Sequence, residues 1–389
     1  MTTSLRARTL ITSTSTIDYP EIIIDSDGII TSITSGESNS SDTILTPTFF
    51  DIHIHGSAGH DTMEATPEAY SAIGKFLVTK GVANYLATTV TAPPDHTLRA
   101  LEAAANAIEA PTTPSQAHPA GIHLEGPFIS HAKRGVHPPA DIQPPSIPIF
   151  DRMQQAARGH IRLLTLAPET PGALDLIEHA TNQGTKVSLG HSNASAAETR
   201  AAIAAGACSA THTFNAMRPL DHREPGITGV ILDAKSLYAE LICDGIHVAP
   251  ELVRLWLRTK GPERAILITD SISATGMPEG NYRLGEIPVT VAKGRCLLTS
   301  NLANNIETLA GSILTMDRAI ANLRHFTGAT LATAVHLASR NPACMLGLPH
   351  LTDVAPGRPA NFNVFSPDGT LQQTILQGLP IRPIIQSAP

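Results

Sequence analysis

The chain has 389 residues, and 42 % of them are hydrophobic. That share argues against intrinsic disorder, and the length allows a core that needs no disulfide or metal merely to fold. The formal net charge is −7 with no dense Lys/Arg run, which argues against nucleic acid or an anionic membrane as the main partner.

Cys208, Cys243, Cys296 and Cys344 are widely scattered and form no C-x-x-C pair. Neither a disulfide framework nor a cysteine zinc site is expected. No run approaches the ~18 apolar residues of a membrane helix. The stretch 1–16 is rich in Thr and Ser and has no apolar segment; it does not read as a signal peptide, so the expected compartment is the cytoplasm. Histidine occurs 17 times, and as the commonest metal ligand its positions carry weight.

In chain order, 21–25 and 29–33 read as a hairpin around Ser26, Asp27 and Gly28, followed by a polar loop at 35–41. The end of the chain, 361–385, again reads as strands, with a turn at 367–369. Between them short apolar runs alternate with Ala-rich helical segments such as 98–110, 172–183 and 195–205. The apolar runs are 49–55, 84–90, 120–125, 161–166, 186–190, 209–214, 238–243 and 265–269.

Eight strands with helical crossovers predict an α/β fold, a (β/α)8 TIM-like barrel. A doubly wound parallel sheet shows the same alternation, but no Gly-rich dinucleotide turn follows any strand. The segment 282–299 reads as a hairpin inserted after the eighth strand. The expected division is a small β-sandwich domain formed from both termini, 1–47 plus 346–389, around a barrel at 48–345.

Chemistry-bearing residues gather at the predicted strand ends, which ring one mouth of a barrel. His53 and His55 alternate on strand one, so both face one side. Glu125 ends an apolar strand, where an unpaired carboxylate is costly to bury. His191 and His212 end strands five and six. Each taken singly also reads as an ordinary buried or rim side chain. Jointly they make a nitrogen/oxygen site for zinc or another divalent metal. Asp270, ending strand eight, reads as a general acid/base beside that site, or as a partner orienting a ligand histidine.

The segments DIHIHG (51–56), GIHLEGPF (121–128), KRGVH (133–137), LGHSN (189–193), THTFNAM (211–217), REPG (223–226), DGIHV (244–248), ITD (268–270) and LAGS (309–312) run in this order. In them the chain resembles the N-acetylglucosamine-6-phosphate deacetylase branch of the amidohydrolase superfamily. The resemblance implies a barrel with a small β-sandwich, commonly a homodimer, hydrolysing the acetamide of an amino-sugar phosphate.

By matched position it implies a main metal on Glu125, His191 and His212. A second would sit on His53 and His55, with Glu125 bridging; some members lack that pair and use one metal. Zinc, iron, manganese and cobalt all suit such ligands. Asp270 would be general base and acid. His137, in a Gly- and Pro-rich loop, would donate to the acetamide carbonyl. The Asn215 and Ala216 amides, Arg223 and His247 would hold the phosphate. Val136, Leu309, Ala310 and Gly311 would line the sugar pocket.

Two positions depart from the family pattern. Thr48 stands where glycine is usual, and Ser271, often alanine, offers a hydroxyl to Asp270. An N-acetylgalactosamine 6-phosphate substrate is the nearest rival. A cyclic-amide hydrolase is disfavoured because strand four, 161–166, carries no lysine. A catalytically silent scaffold of the same fold is the reading from a different class.

Overall fold

The computed structural model describes residues 2–38, 41–302 and 304–381. Part of the expected polar loop (39–40) and the tail beyond 381 lie outside the described residues.

Eight parallel strands form the barrel: β1 (Phe49–Ile54), β2 (Val82–Thr89), β3 (His118–Glu125), β4 (Ile161–Leu166), β5 (Lys186–Leu189), β6 (Ser209–Ala210), β7 (Ala239–Ile242) and β8 (Ala265–Ile268). The first six make one sheet in sequence order, and β7 pairs with β8. Backbone hydrogen bonds span both seams. Ala210 N–H donates to Tyr238 O at 3.0 Å and Thr213 N–H to Glu240 O at 2.8 Å. Across the other seam, Asp270 N–H donates to His53 O and His55 N–H to Ser271 O, both at 2.9 Å. A side chain reinforces this closure: the buried Asp51 carboxylate accepts the Thr269 hydroxyl at 2.5 Å and the His53 N–H at 3.3 Å.

Strands buried on both faces carry near-continuous apolar runs. All eight residues of β2 are buried, and the helices cover the outside. Their ends follow local chemistry. Thr66 caps the helix Pro67–Val78 by accepting from Ala69 N–H, and Ser195 with Glu198 forms a capping box on Ala196–Ala204.

The strand ends differ instructively from expectation. The sixth strand stops at Ala210 rather than 214, because His212 and Phe214 take left-handed φ values of 27° and 80°. The insertion after β8 is a three-stranded antiparallel sheet, Gly280–Leu284, Ile287–Ala292 and Arg295–Leu298, one strand more than the expected hairpin.

Two further sheets flank the barrel. One contains Thr3–Arg6, Pro20–Ile24 and Ile30–Ser35; the other joins Ile44–Pro47 to Phe362–Phe365 and four shorter or outer strands. Leu10, Ile22, Ile30, Leu45 and Phe362 form their shared core, so both ends of the chain contribute to one apolar layer. Among the described residues, no helix is long and apolar enough to cross a membrane.

Asn363 joins this layer to the barrel. Its amide donates to Gly81 O at 2.9 Å, just before β2, and its carbonyl accepts the Thr374 hydroxyl at 3.2 Å. Asn363→Ala strands the buried Thr374 hydroxyl and costs about 1–3 kcal/mol. Urea unfolding should show a lower midpoint at unchanged slope.

Candidate metal centre and active site

Six ligand-type side chains meet at the C-terminal ends of the strands. They form two buried groups, His53–His55–Asp270 and Glu125–His191–His212, each with its ligand atoms within 4.8 Å of one another. His53 lies on β1, with His55 one residue past its end; Glu125 closes β3; His191, His212 and Asp270 follow β5, β6 and β8. The latter three have left-handed φ values of 47°, 27° and 50°. Such backbone costs on the order of 1–3 kcal/mol per residue and persists where the surroundings impose it. The chain turns sharply at each strand end and swings the side chain over the barrel axis.

Glu125 joins the groups. Its Oε1 lies 3.2 Å from both His191 Nε2 and His212 Nε2, and its Oε2 lies 3.2 Å from His55 Nε2. Asp270 Oδ1 lies 3.4 Å from His53 Nε2 and 3.3 Å from His55 Nε2. Ligands about 2.0–2.1 Å from a tetrahedral ion are roughly 3.3 Å apart, so these spacings fit a shared cation.

Proton accounting points the same way. His191 Nδ1 faces Lys133 O at 3.0 Å. A carbonyl only accepts, so the ring proton sits on Nδ1 and Nε2 presents a lone pair toward Glu125 and His212. His53 Nε2 is buried without a hydrogen-bond partner. Converging acceptors of this kind, in a buried site, call for a positive charge.

Without an ion, protons meet that demand. Burial pushes the His55 imidazole down, but the Asp270 and Glu125 carboxylates more than reverse this and raise it to about 9. Burial pushes Asp270 and Glu125 up, while His53 above all pulls both below the ordinary carboxylate range.

His137 behaves differently. Burial and the neighbouring His191 lower it to about 3, so it is neutral. Its Nδ1 accepts the Thr91 N–H at 3.3 Å and lies 2.8 Å from the Thr91 hydroxyl; with Nδ1 as acceptor the proton sits on Nε2, 3.8 Å from Glu125 Oε2. A neutral N–H donor therefore faces the cluster. Gly126 makes this arrangement fit: its φ is +74°, and a Cβ there would stand 2.2 Å from the Thr91 hydroxyl oxygen.

A cavity of about 320 Å³ opens above the cluster. His55, Glu125, His191, His212 and Asp270 line it from below, and Val136, His137, Asn215, Ala216, His247, Leu309 and Gly311 from the sides. Ala310 is fully buried behind its neighbours. Asp244 fixes His247 by accepting from Nδ1 at 2.6 Å. The Asn215 N–H is engaged by His212 O at 3.0 Å.

Arg223 does not line the cavity; it sits on an exposed loop with its N–H donated to Asp221 at 2.8 Å. The Ser271 hydroxyl donates to Gly56 O at 3.0 Å rather than to Asp270, because the turn after β8 directs it toward β1. A neighbouring cavity of about 530 Å³ holds none of the six clustered ligands.

Sequence reasoning missed Lys133, which lines the cavity, Thr91 behind His137, and Glu240 on β7, 3.3 Å from His53 Nδ1. Lys133 lay within a motif already singled out. Nothing in the sequence marks the other two, since their partners are far away in the chain.

Ion uptake must displace the protons that the metal-free cluster holds. With His55 at about 9, zinc binding at pH 7–8 should release protons. Its apparent affinity should rise about tenfold per pH unit for each proton displaced, flattening above pH 9. Proton release in weak buffer and chelator competition across pH test this.

Comparison with known proteins agrees with this geometry. Residues 44–381 match the Amidohydrolase family. An N-acetylglucosamine-6-phosphate deacetylase from Lysinibacillus sphaericus is 37 % identical, over 86 % of this chain and 84 % of the relative. An N-acetylgalactosamine-6-phosphate deacetylase from Escherichia coli O157:H7 is 36 % identical, over 97 % and 99 %. Among solved structures, a mutant N-acetyl-D-glucosamine-6-phosphate deacetylase from Mycobacterium smegmatis, in complex with N-acetyl-D-glucosamine-6-phosphate, superposes with a TM-score of 0.91 and 33 % identity, covering 98 % of this chain and all of that one. With the barrel, the strand-end ligands and these matches together, the chain belongs to the amidohydrolase family.

Proposed function

We propose that this enzyme hydrolyses the acetamide of N-acetylglucosamine 6-phosphate, giving glucosamine 6-phosphate and acetate in amino-sugar catabolism. The observation that carries the reading is the pairing of a buried Glu125–His191–His212 group with Asp270 on one side and the neutral His137 N–H on the other. The galactosamine epimer is the second reading, favoured by the relative that covers 97 % of this chain.

In this reading Glu125, His191 and His212 hold the main ion. His53 and His55, grouped with Asp270, would hold a second. Zinc suits the nitrogen/oxygen donors best, and iron, manganese or cobalt would also fit them. A bound ion supplies a Lewis acid that acidifies water and polarises the acetamide carbonyl.

Asp270, held ionised by its imidazole neighbours, accepts a proton from the water that attacks the acetamide carbon. His137 donates its Nε2–H to the carbonyl oxygen as negative charge grows there. Asp270 then delivers the proton to the amide nitrogen, the C–N bond breaks, and acetate and the amine leave. Val136, Leu309 and Gly311 would shape the sugar pocket, with Ala310 buried behind them, and Ala216 and His247 would hold the phosphate, the Asn215 N–H being engaged by His212 O. The working form is a cytoplasmic homodimer, with 48–345 as the catalytic unit and 1–47 plus 346–389 as the supporting sandwich.

An acetate-release assay on the phosphorylated and unphosphorylated N-acetylhexosamines, gluco and galacto, tests the substrate. Activity is expected only on 6-phosphates, and activity equal on the unphosphorylated sugars would refute the phosphate assignment. Asp270→Asn should keep the fold and the ion on Glu125, His191 and His212 yet lose about 10²–10⁴-fold in kcat. His137→Ala should lose on the order of 10²–10³-fold. Chelation should abolish turnover and zinc should restore it; turnover that survives full ion removal would overturn the reading.

A further inference from the structure

Glu240 is a buried acid beside the cluster to which neither metal binding nor catalysis gives a task. It lies on β7, fully buried, and its side chain points into the barrel. Its Oε2 meets His53 Nδ1 at 3.3 Å and the His212 N–H at 3.4 Å. Its Oε1 has no partner. Carrying a carboxylate to this depth is costly, so a simple packing role would favour an apolar side chain or an amide.

The contacts show what a carboxylate does here that an amide does not. Oε2 already receives a backbone N–H from His212, so it acts as an acceptor. His53 must therefore present Nδ1–H to it, which leaves the Nε2 lone pair aimed at the space shared with Glu125 and Asp270, 3.5 and 3.4 Å away. A glutamine could turn its NH₂ toward Nδ1 and invite the opposite tautomer, with a proton on Nε2 where an ion belongs. The same oxygen also reaches His212, whose φ of 27° is among the strained values of the site. One acid on β7 thus touches a ligand from each group.

We propose that Glu240 is a positioning residue that locks His53 as an Nε2 ligand and so sets how tightly the His53–His55–Asp270 group holds its ion. This rests on the metal-dependent reading above. Residues oriented this way behind a ligand histidine are typically worth 10–100-fold in ion affinity.

The test is zinc binding by the full chain, measured by chelator competition and elemental counting for wild type, E240Q and E240D. Wild type should bind two ions. E240Q should bind the weaker ion about 10–100-fold less tightly, while the tighter ion changes by less than about threefold, because Glu240 meets His212 only through its backbone N–H and not through the ring. E240D, which keeps an acceptor-only group, should recover part of the loss. Unchanged weaker-ion affinity in E240Q would overturn the assignment. So would equal loss of both ions, or a wild type that binds a single ion. The readout is affinity, so absence of acetate release would count against the proposed substrate alone.

Discussion

Glu125 is the interaction on which the rest of the site depends. A carboxylate at this depth is expensive unless compensated, and four imidazoles, His53, His55, His191 and His212, converge on it where protons or an ion would supply that compensation. These arrive from three different strand ends. None reaches Glu125 unless the barrel is closed and its strands are in register, so the folded topology and the site impose the same condition. The left-handed turns at His191, His212 and Asp270 are where that condition is felt in the backbone. Each strand must stop and twist abruptly to bring its side chain over the axis.

Beneath the cluster the barrel is unusually polar. His123 Nε2 meets the Thr165 hydroxyl at 2.7 Å, which meets Thr211 at 2.7 Å, which donates to Ser188 at 2.7 Å. The ring of His123 packs edge-on against His53 at 4.5 Å. Asp51 ties β1 to β8, and Glu240 ties β7 to β1 and to the turn after β6. An apolar filling of equal volume would make a more stable barrel, because buried polar networks seldom gain over hydrophobic packing. What the network supplies is direction. Glu240 meets His53 through Nδ1 and the Lys133 carbonyl meets His191 through Nδ1, so neither of these ligand rings rotates without breaking a contact.

Much of this was legible in the sequence, for a physical reason. Doubly buried parallel strands appear as short apolar runs between amphipathic helices, and all eight were visible that way. Their functional ends were visible because histidine and acid interrupt apolar runs only where something holds them. The exact ends were not, since left-handed turns at His212 or Asp270 leave no compositional trace. Glu240 escaped notice for a related reason. A glutamate inside β7 reads as a solvent-facing strand residue until closure sets it against His53, 187 positions away. Arg223 shows the converse. A cation suited to phosphate is plain in the motif, yet its loop stands in solvent, and sequence alone has no means of locating a loop.

The chain carries a net charge of −7 and yet has a cavity suited to an anionic sugar, which requires the charge to be separated along the cavity. The floor holds the carboxylates Glu125 and Asp270, whose charge imidazoles and an ion would offset at short range. The walls carry the His137 N–H and the His247 ring, and Lys133 lines them as well. Screening over about 8–10 Å of salt solution removes most of the distant background field, so an entering molecule responds chiefly to these near groups. In the proposed reading, a ligand with phosphate at one end and an amide at the other has one favourable orientation, anion toward the wall and carbonyl toward the floor. Specificity of this kind needs no net positive charge, only donors at the rim and acids kept at the bottom.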